Sequence, residues 1–82
     1  MKDKTWFLYM VRCSRGALYT GIALDVDSRV KQHNEGKGAK AVRMLGLPVV
    51  LVYKEEVGSY SDALKREYEV KRLTKKDKEN LL

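Results

Sequence analysis

The sequence carries one cysteine, Cys13, which excludes an internal disulfide and a metal site built on cysteines. No apolar stretch comes near the ~20 residues that a membrane-spanning helix needs. The charged start, Met1-Lys2-Asp3-Lys4, leads into a short aromatic-rich run with no small-residue cleavage site. It therefore does not read as a signal peptide. Repeats, low-complexity segments and linker-like stretches are absent. At 82 residues the chain reads as one domain, 1–82, with a modest core and a cytoplasmic location by default.

Acidic residues are in the minority. Seventeen Lys+Arg face eleven Asp+Glu, for a net charge of +6 and a pI near 9.6. That balance favours a polyanionic partner, nucleic acid before a membrane surface. The plainer alternative is a lysine-rich surface that serves solubility alone.

What is present is organised simply. Residues 5–12, Thr-Trp-Phe-Leu-Tyr-Met-Val-Arg, are β-branched, aromatic or aliphatic almost throughout, which predicts a strand covered on both faces. Ser14-Arg15-Gly16 supplies turn chemistry, and residues 17–23 form a second strand. A turn centred near Ser14 or Arg15 sets Tyr9 and Tyr19 nearly opposite each other. Asp25 reads as the N-cap of a helix running to Asn34, with Val26 and Val30 facing inward. Gly36-Lys37-Gly38-Ala39-Lys40 breaks that helix, and Pro48 opens a third strand over 49–53. Ser61 is a candidate N-cap for a second helix over 62–73. Thr74-Lys75-Lys76-Asp77 opens a last short helix ending at Leu81 and Leu82. The order is ββαβαα, an α/β (α+β) arrangement of a small three-stranded antiparallel sheet flanked by helices.

Several side chains stand out. At about 100° per residue, Tyr60, Ala63, Leu64 and Val70 share one arc of the 62–73 helix, and Glu67 falls inside it. Lys65, Arg66, Glu69 and Arg72 lie mostly outside. A carboxylate on a buried stripe is costly unless it is paired or metal-bound. Lys71, four residues on, is the obvious partner for a purely structural ion pair. Arg29 and the only histidine, His33, are neighbours on the first helix, beside the Val26/Val30 stripe. Tyr9 and Tyr19, taken alone, read as core tyrosines.

Taken together these residues resemble the GIY-YIG domain. The resemblance rests on Tyr9, then Tyr19-Thr20-Gly21, then Arg29, His33 and Asn34, then Gly36-Lys37-Gly38-Ala39-Lys40, and finally Ala63-Leu64-x-x-Glu67. It covers nearly the whole chain. It is nearest to the small single-domain bacterial members and to the nuclease domain of structure-specific endonucleases that act on branched DNA. Phe7-Leu8-Tyr9 stands where Gly-Ile-Tyr would, and Tyr19-Thr20-Gly21 where Tyr-Ile-Gly would. Ile22 occupies a position where many family nucleases carry a lysine, and Ala41 one where an aromatic is common.

The resemblance implies metal-dependent hydrolysis of phosphodiester bonds. Tyr19 would activate or orient the attacking water, and Tyr9 would hold that network. Arg29 would neutralise charge building on the phosphate, and His33 would position the water or assist proton transfer. Glu67 would bind one Mg²⁺ or Mn²⁺, a hard cation whose shell is completed by waters and phosphate oxygens. An unperturbed tyrosine titrates near 10, but a cation and an arginine close by favour its phenolate. Lys37, Lys40 and Arg43 in the glycine-bearing loop, with Lys71 and Arg72, would contact the nucleic-acid backbone. DNA is the foremost partner expected and no membrane is. Two rival readings stay open: a nucleic-acid-binding module with a vestigial site, and a small basic domain that docks acidic proteins. The DNA or RNA structure bound and the oligomeric state are left open.

Overall fold

The computed structural model describes residues 4–82; residues 1–3, part of the charged start, lie outside the described residues. Strand β1, Trp6–Arg12, is followed by β2, Leu18–Ala23, and β3, Val50–Gly58, closes a sheet of order β2-β1-β3. Both pairings are antiparallel. β1 is therefore the middle strand, and its side chains point alternately into two covered faces. This accounts for its unbroken apolar run. On one face Tyr9 and Val11 pack with Ala23, Val26, Val42 and Val49. On the other, Leu8 and Met10 pack with Val70, flanked by Leu18, Val52, Leu73 and Leu81.

Helix α1, Val26–Asn34, starts where its cap predicts, with the Ser28 N–H donating to Asp25 Oδ1 at 3.1 Å. It ends in a glycine stop. Gly36 takes φ +78 and donates to His33 O at 3.0 Å, while Lys37 N–H donates to Gln32 O at 3.0 Å. That double closure satisfies two of the orphan carbonyls at the helix end.

The structure departs from the sequence reading in four places. The expected ββαβαα order holds, but one short helix, α2 at Lys40–Leu45, is interposed where a plain connection was expected. It has no side-chain cap at Ala39 and forms because Val42, wholly buried, draws it onto the core. β3 runs well past the expected 49–53. Helix α3 spans Tyr60–Lys71, because Ser59 and not Ser61 accepts from Asp62 N–H, at 3.1 Å. Finally, Tyr60 and Leu64, placed on the buried arc, are 53% and 41% exposed. Helix α4, Lys75–Asn80, begins as expected with Thr74 Oγ1 accepting from Asp77 N–H at 3.1 Å. Among the described residues no helix is long and apolar enough to cross a membrane.

Three polar ties hold the elements in place. Arg12 grips Glu79 with two contacts of 2.6 Å, joining β1 to α4. Arg66, expected to face outward, instead reaches Glu55 on β3 at 2.8 and 3.1 Å, and Tyr53 donates to the same carboxylate at 2.6 Å. This holds the Glu55 carboxyl below its usual range. The third tie is Asn34. Its Nδ2 donates to Val49 O at 3.1 Å, and Val49 N–H donates to Asn34 Oδ1 at 2.7 Å. The amide thus imitates a strand partner and fastens the end of α1 to the start of β3. Removing it strands both backbone groups of the buried Val49. Asn34→Ala should therefore lose about 1–2 kcal/mol of stability. Urea unfolding would show a lower midpoint with an unchanged slope.

Candidate active site

The two tyrosines belong to the hairpin. Its turn is closed by Cys13 N–H to Ala17 O at 2.8 Å and Gly16 N–H to Cys13 O at 2.8 Å. It centres on Arg15, so Tyr9 pairs with Gly21 and Val11 with Tyr19. The tyrosines are therefore diagonal neighbours on one face rather than directly opposite, which corrects the expected register. The consequence falls on Gly21. A Cβ there would lie 2.6 Å from Tyr9 Oη, so only glycine lets the phenol ring cross its partner strand.

Tyr9 and His33 meet in the interior. Tyr9 Oη lies 2.8 Å from His33 Nε2, and both residues are buried, at 1% and 0% exposure. The imidazole is pressed against a second glycine: a Cβ on Gly38 would come within 2.1 Å of His33 Nδ1. That nitrogen is buried and without a partner. Burial pushes the Tyr9 hydroxyl up to about 12, against a downward pull from Arg29. Burial, with the neighbouring Arg29 charge, pushes His33 down. Both groups are thus neutral near pH 7.

Tyr19 occupies the open side of this pair. Its ring is only partly buried and stands edge-on to His33 with centroids 5.6 Å apart. β2 is an edge strand, so side chains from the other face of the sheet can reach round it. Lys71 on α3 does so, its Nζ 6.0 Å from the centre of the Tyr19 ring. Lys71 also lies 3.4 Å from Glu67 Oε2, the pair foreseen for these residues. The Glu67 side chain retains 21% of its exposure, at the margin of the buried stripe and not within it. Its charge is close enough to raise Tyr9 slightly. Arg29, partly exposed, donates from Nη1 to Gln32 Oε1 at 2.9 Å and borders a groove of about 380 Å³. Four of the five expected site residues, Tyr9, Tyr19, Arg29 and His33, therefore form one cluster, with Glu67 at its rim.

The expected phosphate contacts are spread more widely. Lys37 and Lys40 are exposed. Arg43, exposed on α2, folds back along the preceding loop, donating from Nη1 to Gly36 O and Gly38 O, each at 3.1 Å. Arg72 lies over the Tyr68 ring, with Cζ 5.3 Å from the centroid. The sequence reading missed the roles of Gly21 and Gly38 as ring cradles. Their signal was the spacing of each glycine from an aromatic on another element, which becomes legible only once the register is known.

With this geometry in hand, the match to known proteins is specific. The chain belongs to the GIY-YIG family: the sequence pattern of the GIY-YIG catalytic domain covers residues 5–80. Such domains are nuclease-type catalytic domains. Among its relatives are UPF0213 proteins. That of Cronobacter sakazakii is 52% identical over 77 residues, covering 94% of this chain and 80% of the relative. That of Yersinia pestis is 51% identical over 82 residues, covering 100% and 85%. The solution structure of the UPF0213 protein of Bacillus halodurans superposes with a TM-score of 0.59 at 42% identity, covering 94% of this chain and 81% of that one. A solution structure from E. faecalis gives 0.62 at 32% identity, covering 98% and 85%.

The buried Tyr9 hydroxyl makes stability depend on alkaline pH. Its folded value of about 12 lies above the ordinary tyrosine value near 10, so the unfolded chain releases this proton first. Stability from this source is complete below about 10 and is lost as pH rises towards about 12, by about 2–3 kcal/mol. Tyr9→Phe removes the titrating group and the bond to His33. It should be less stable than the parent at pH 7 yet lose less between those two values. Denaturant unfolding of both proteins at pH 7, 10 and 12 measures the difference.

Proposed function

We propose that this protein hydrolyses phosphodiester bonds in nucleic acid, DNA foremost, with one Mg²⁺ or Mn²⁺ held by Glu67. The observation that carries the reading is the division of labour between the tyrosines. One is sealed and anchored to a buried histidine, and the other is only partly buried, with Lys71, the partner of Glu67, 6.0 Å from its ring. A purely structural tyrosine pair has no need of that asymmetry.

The donor set fits a hard cation. Glu67 is engaged only by a half-exposed lysine at 3.4 Å, so its oxygens are accessible. Among the described residues no cluster of three His, Cys, Asp or Glu surrounds it. One carboxylate suits Mg²⁺, which keeps several waters and takes substrate phosphate oxygens. The bound ion would polarise the phosphate and a water at the Tyr19 end. Arg29 has five N–H donors, and beyond Gln32 and the Tyr9 hydroxyl that it draws on, others remain for a phosphate whose charge grows at the transition state. Tyr19 would orient the attacking water through its hydroxyl. His33, wholly buried, acts as a positioning residue that fixes Tyr9, and Tyr9 in turn fixes the wall against which Tyr19 and Arg29 sit. Lys37, Lys40 and Arg43 on one side, and Lys71 and Arg72 on the other, would carry the flanking phosphates.

One observation favours the rival module with a vestigial site. Ile22 lines the groove beside Arg29 and brings no charge there. Cleavage assays on structured DNAs with Mg²⁺ and Mn²⁺ separate turnover from binding alone.

Two outcomes test the proposal. Neutralising about 3–5 phosphates should give a slope of log K against log[salt] of roughly −3 to −4 on duplex DNA. A slope near zero, measured by anisotropy across a salt series, ends the nucleic-acid reading. For the cation, Glu67→Gln should leave metal-free stability within about 0.5 kcal/mol, because the Lys71 pair is half-exposed. Divalent ions should raise the melting temperature of the parent and not of the variant, and cleavage should disappear with Glu67. A parent whose melting is indifferent to Mg²⁺ and Mn²⁺ removes Glu67 from the proposed role.

A further inference from the structure

Helix α3 exposes a line of large side chains that neither the core nor the candidate active site uses. Tyr60, Leu64 and Tyr68 are 53%, 41% and 62% exposed. They stand four residues apart, so they form one stripe with steps of about 6 Å along the helix axis. By helical phase Glu67 and Lys71 lie beside this stripe, between it and the buried Ala63 and Val70. The line continues at both ends. Tyr60 packs on Trp6 with ring centroids 4.8 Å apart, and Trp6 forms a wall of the groove that Arg29 borders. At the far end Arg72 covers one side of Tyr68, its Nη1 donating to Tyr68 Oη at 3.4 Å.

The geometry points to a stacking track for an unpaired stretch of nucleic acid, running beside Glu67 and leading to the groove that Arg29 borders. The inference rests on the nuclease reading and adds to it a preference for substrates with a single-stranded segment. Aromatic side chains in a row beside cations are the common device for binding single strands, because every base has a face to stack while the phosphates meet positive charge. Here Lys71 and Arg72 flank the rings, and the acid on that side, Glu67, is paired with Lys71. The cores of protein interfaces are depleted of charged residues, whereas this stripe has charges set among its rings. A duplex, whose bases are stacked on one another, offers the stripe only its backbone. The groove at the Trp6 end holds Asp25, Ser28 and Gln32 with Arg29. Asp25 disfavours a phosphate deep in the groove, while these side chains can hydrogen-bond a base edge.

The test compares the parent, Tyr68→Ala and Tyr68→Phe by fluorescence anisotropy in EDTA, with labelled oligothymidylate and duplex DNA of about 20 nucleotides or base pairs. Tyr68 is exposed, so the variants should melt with the parent. The alanine variant should weaken oligothymidylate binding by about fivefold or more, while phenylalanine restores it. Duplex binding should change less than about twofold in either variant. Quenching of Trp6, the single tryptophan, by oligothymidylate but not by an abasic strand of the same length supports the track. Unchanged oligothymidylate binding in Tyr68→Ala, or an equal loss on duplex, overturns the inference and leaves the nuclease reading intact. A parent that binds neither nucleic acid ends both. A parent that sediments as a dimer and becomes monomeric on Tyr68→Ala overturns the track in favour of contact between copies of the chain.

Discussion

One buried hydrogen bond, Tyr9 Oη to His33 Nε2 at 2.8 Å, determines where the candidate site lies. It joins the middle strand of the sheet to the helix that covers it, across the centre of the core. A phenol and an imidazole are costly to bury unless each satisfies the other. Once paired they fix the separation of β1 from α1 and with it the position of Arg29, one turn before His33. Two glycines make the space. Gly21 lets the phenol pass β2, and Gly38 lets the loop after α1 close over the imidazole. The loop bearing Lys37, which leads into α2 at Lys40, is therefore packed against the site, and Arg43 ties its carbonyls down.

The second determinant is the position of β2 at the sheet edge. The tyrosines face α1, while α3 covers the opposite face. Behind a central strand, Glu67 would be cut off from them by the sheet. At an edge, Lys71 reaches the Tyr19 ring and the Glu67 charge is felt at Tyr9. A small domain can thus assemble a site from both sides of one sheet without an enclosed cavity.

Much of this was legible in the sequence, and the reasons are physical. The hairpin, the first helix and the capped last helix follow from strong local signals: an unbroken apolar strand, Asp25, Thr74 and the glycine at Gly36. The grouping of Tyr9, Tyr19, Arg29 and His33 was legible through resemblance. What was not legible depends on partners distant in the chain. Helix α2 has no side-chain cap and is held by the burial of Val42 with Leu45 packed beside it, and by the bonds from Arg43 to the preceding loop. Arg66 looks like a surface residue until β3 extends far enough to bring Glu55 beneath it. The start of α3 turned on which of two serines caps, Ser59 or Ser61, and packing of Tyr60 on Trp6 favours the earlier one. Glu67 was read as lying on a buried stripe because Tyr60 and Leu64 were assigned to the core. Their exposure moves that stripe towards Ala63 and Val70 and leaves Glu67 at its edge.

The same geometry explains which motif positions are free to vary. In β1 and β2 the residues that face α1 are Phe7, Tyr9 and Val11, with Tyr19, Gly21 and Ala23 paired to them. Leu8, Thr20 and Ile22 point through the sheet to the other side. Thr20 is 4% exposed and its Oγ1 has no partner, so that position asks for a compact β-branched shape and gains nothing from the hydroxyl. A threonine can stand there, and a leucine can precede Tyr9, without disturbing the tyrosine–histidine pair. Tyr9 and Gly21 have no such freedom, because the ring of one fills the space where the other lacks a side chain. The tyrosines and the final glycine are therefore the part of the motif that the site fixes, and the residues between them answer to the α3 side of the core.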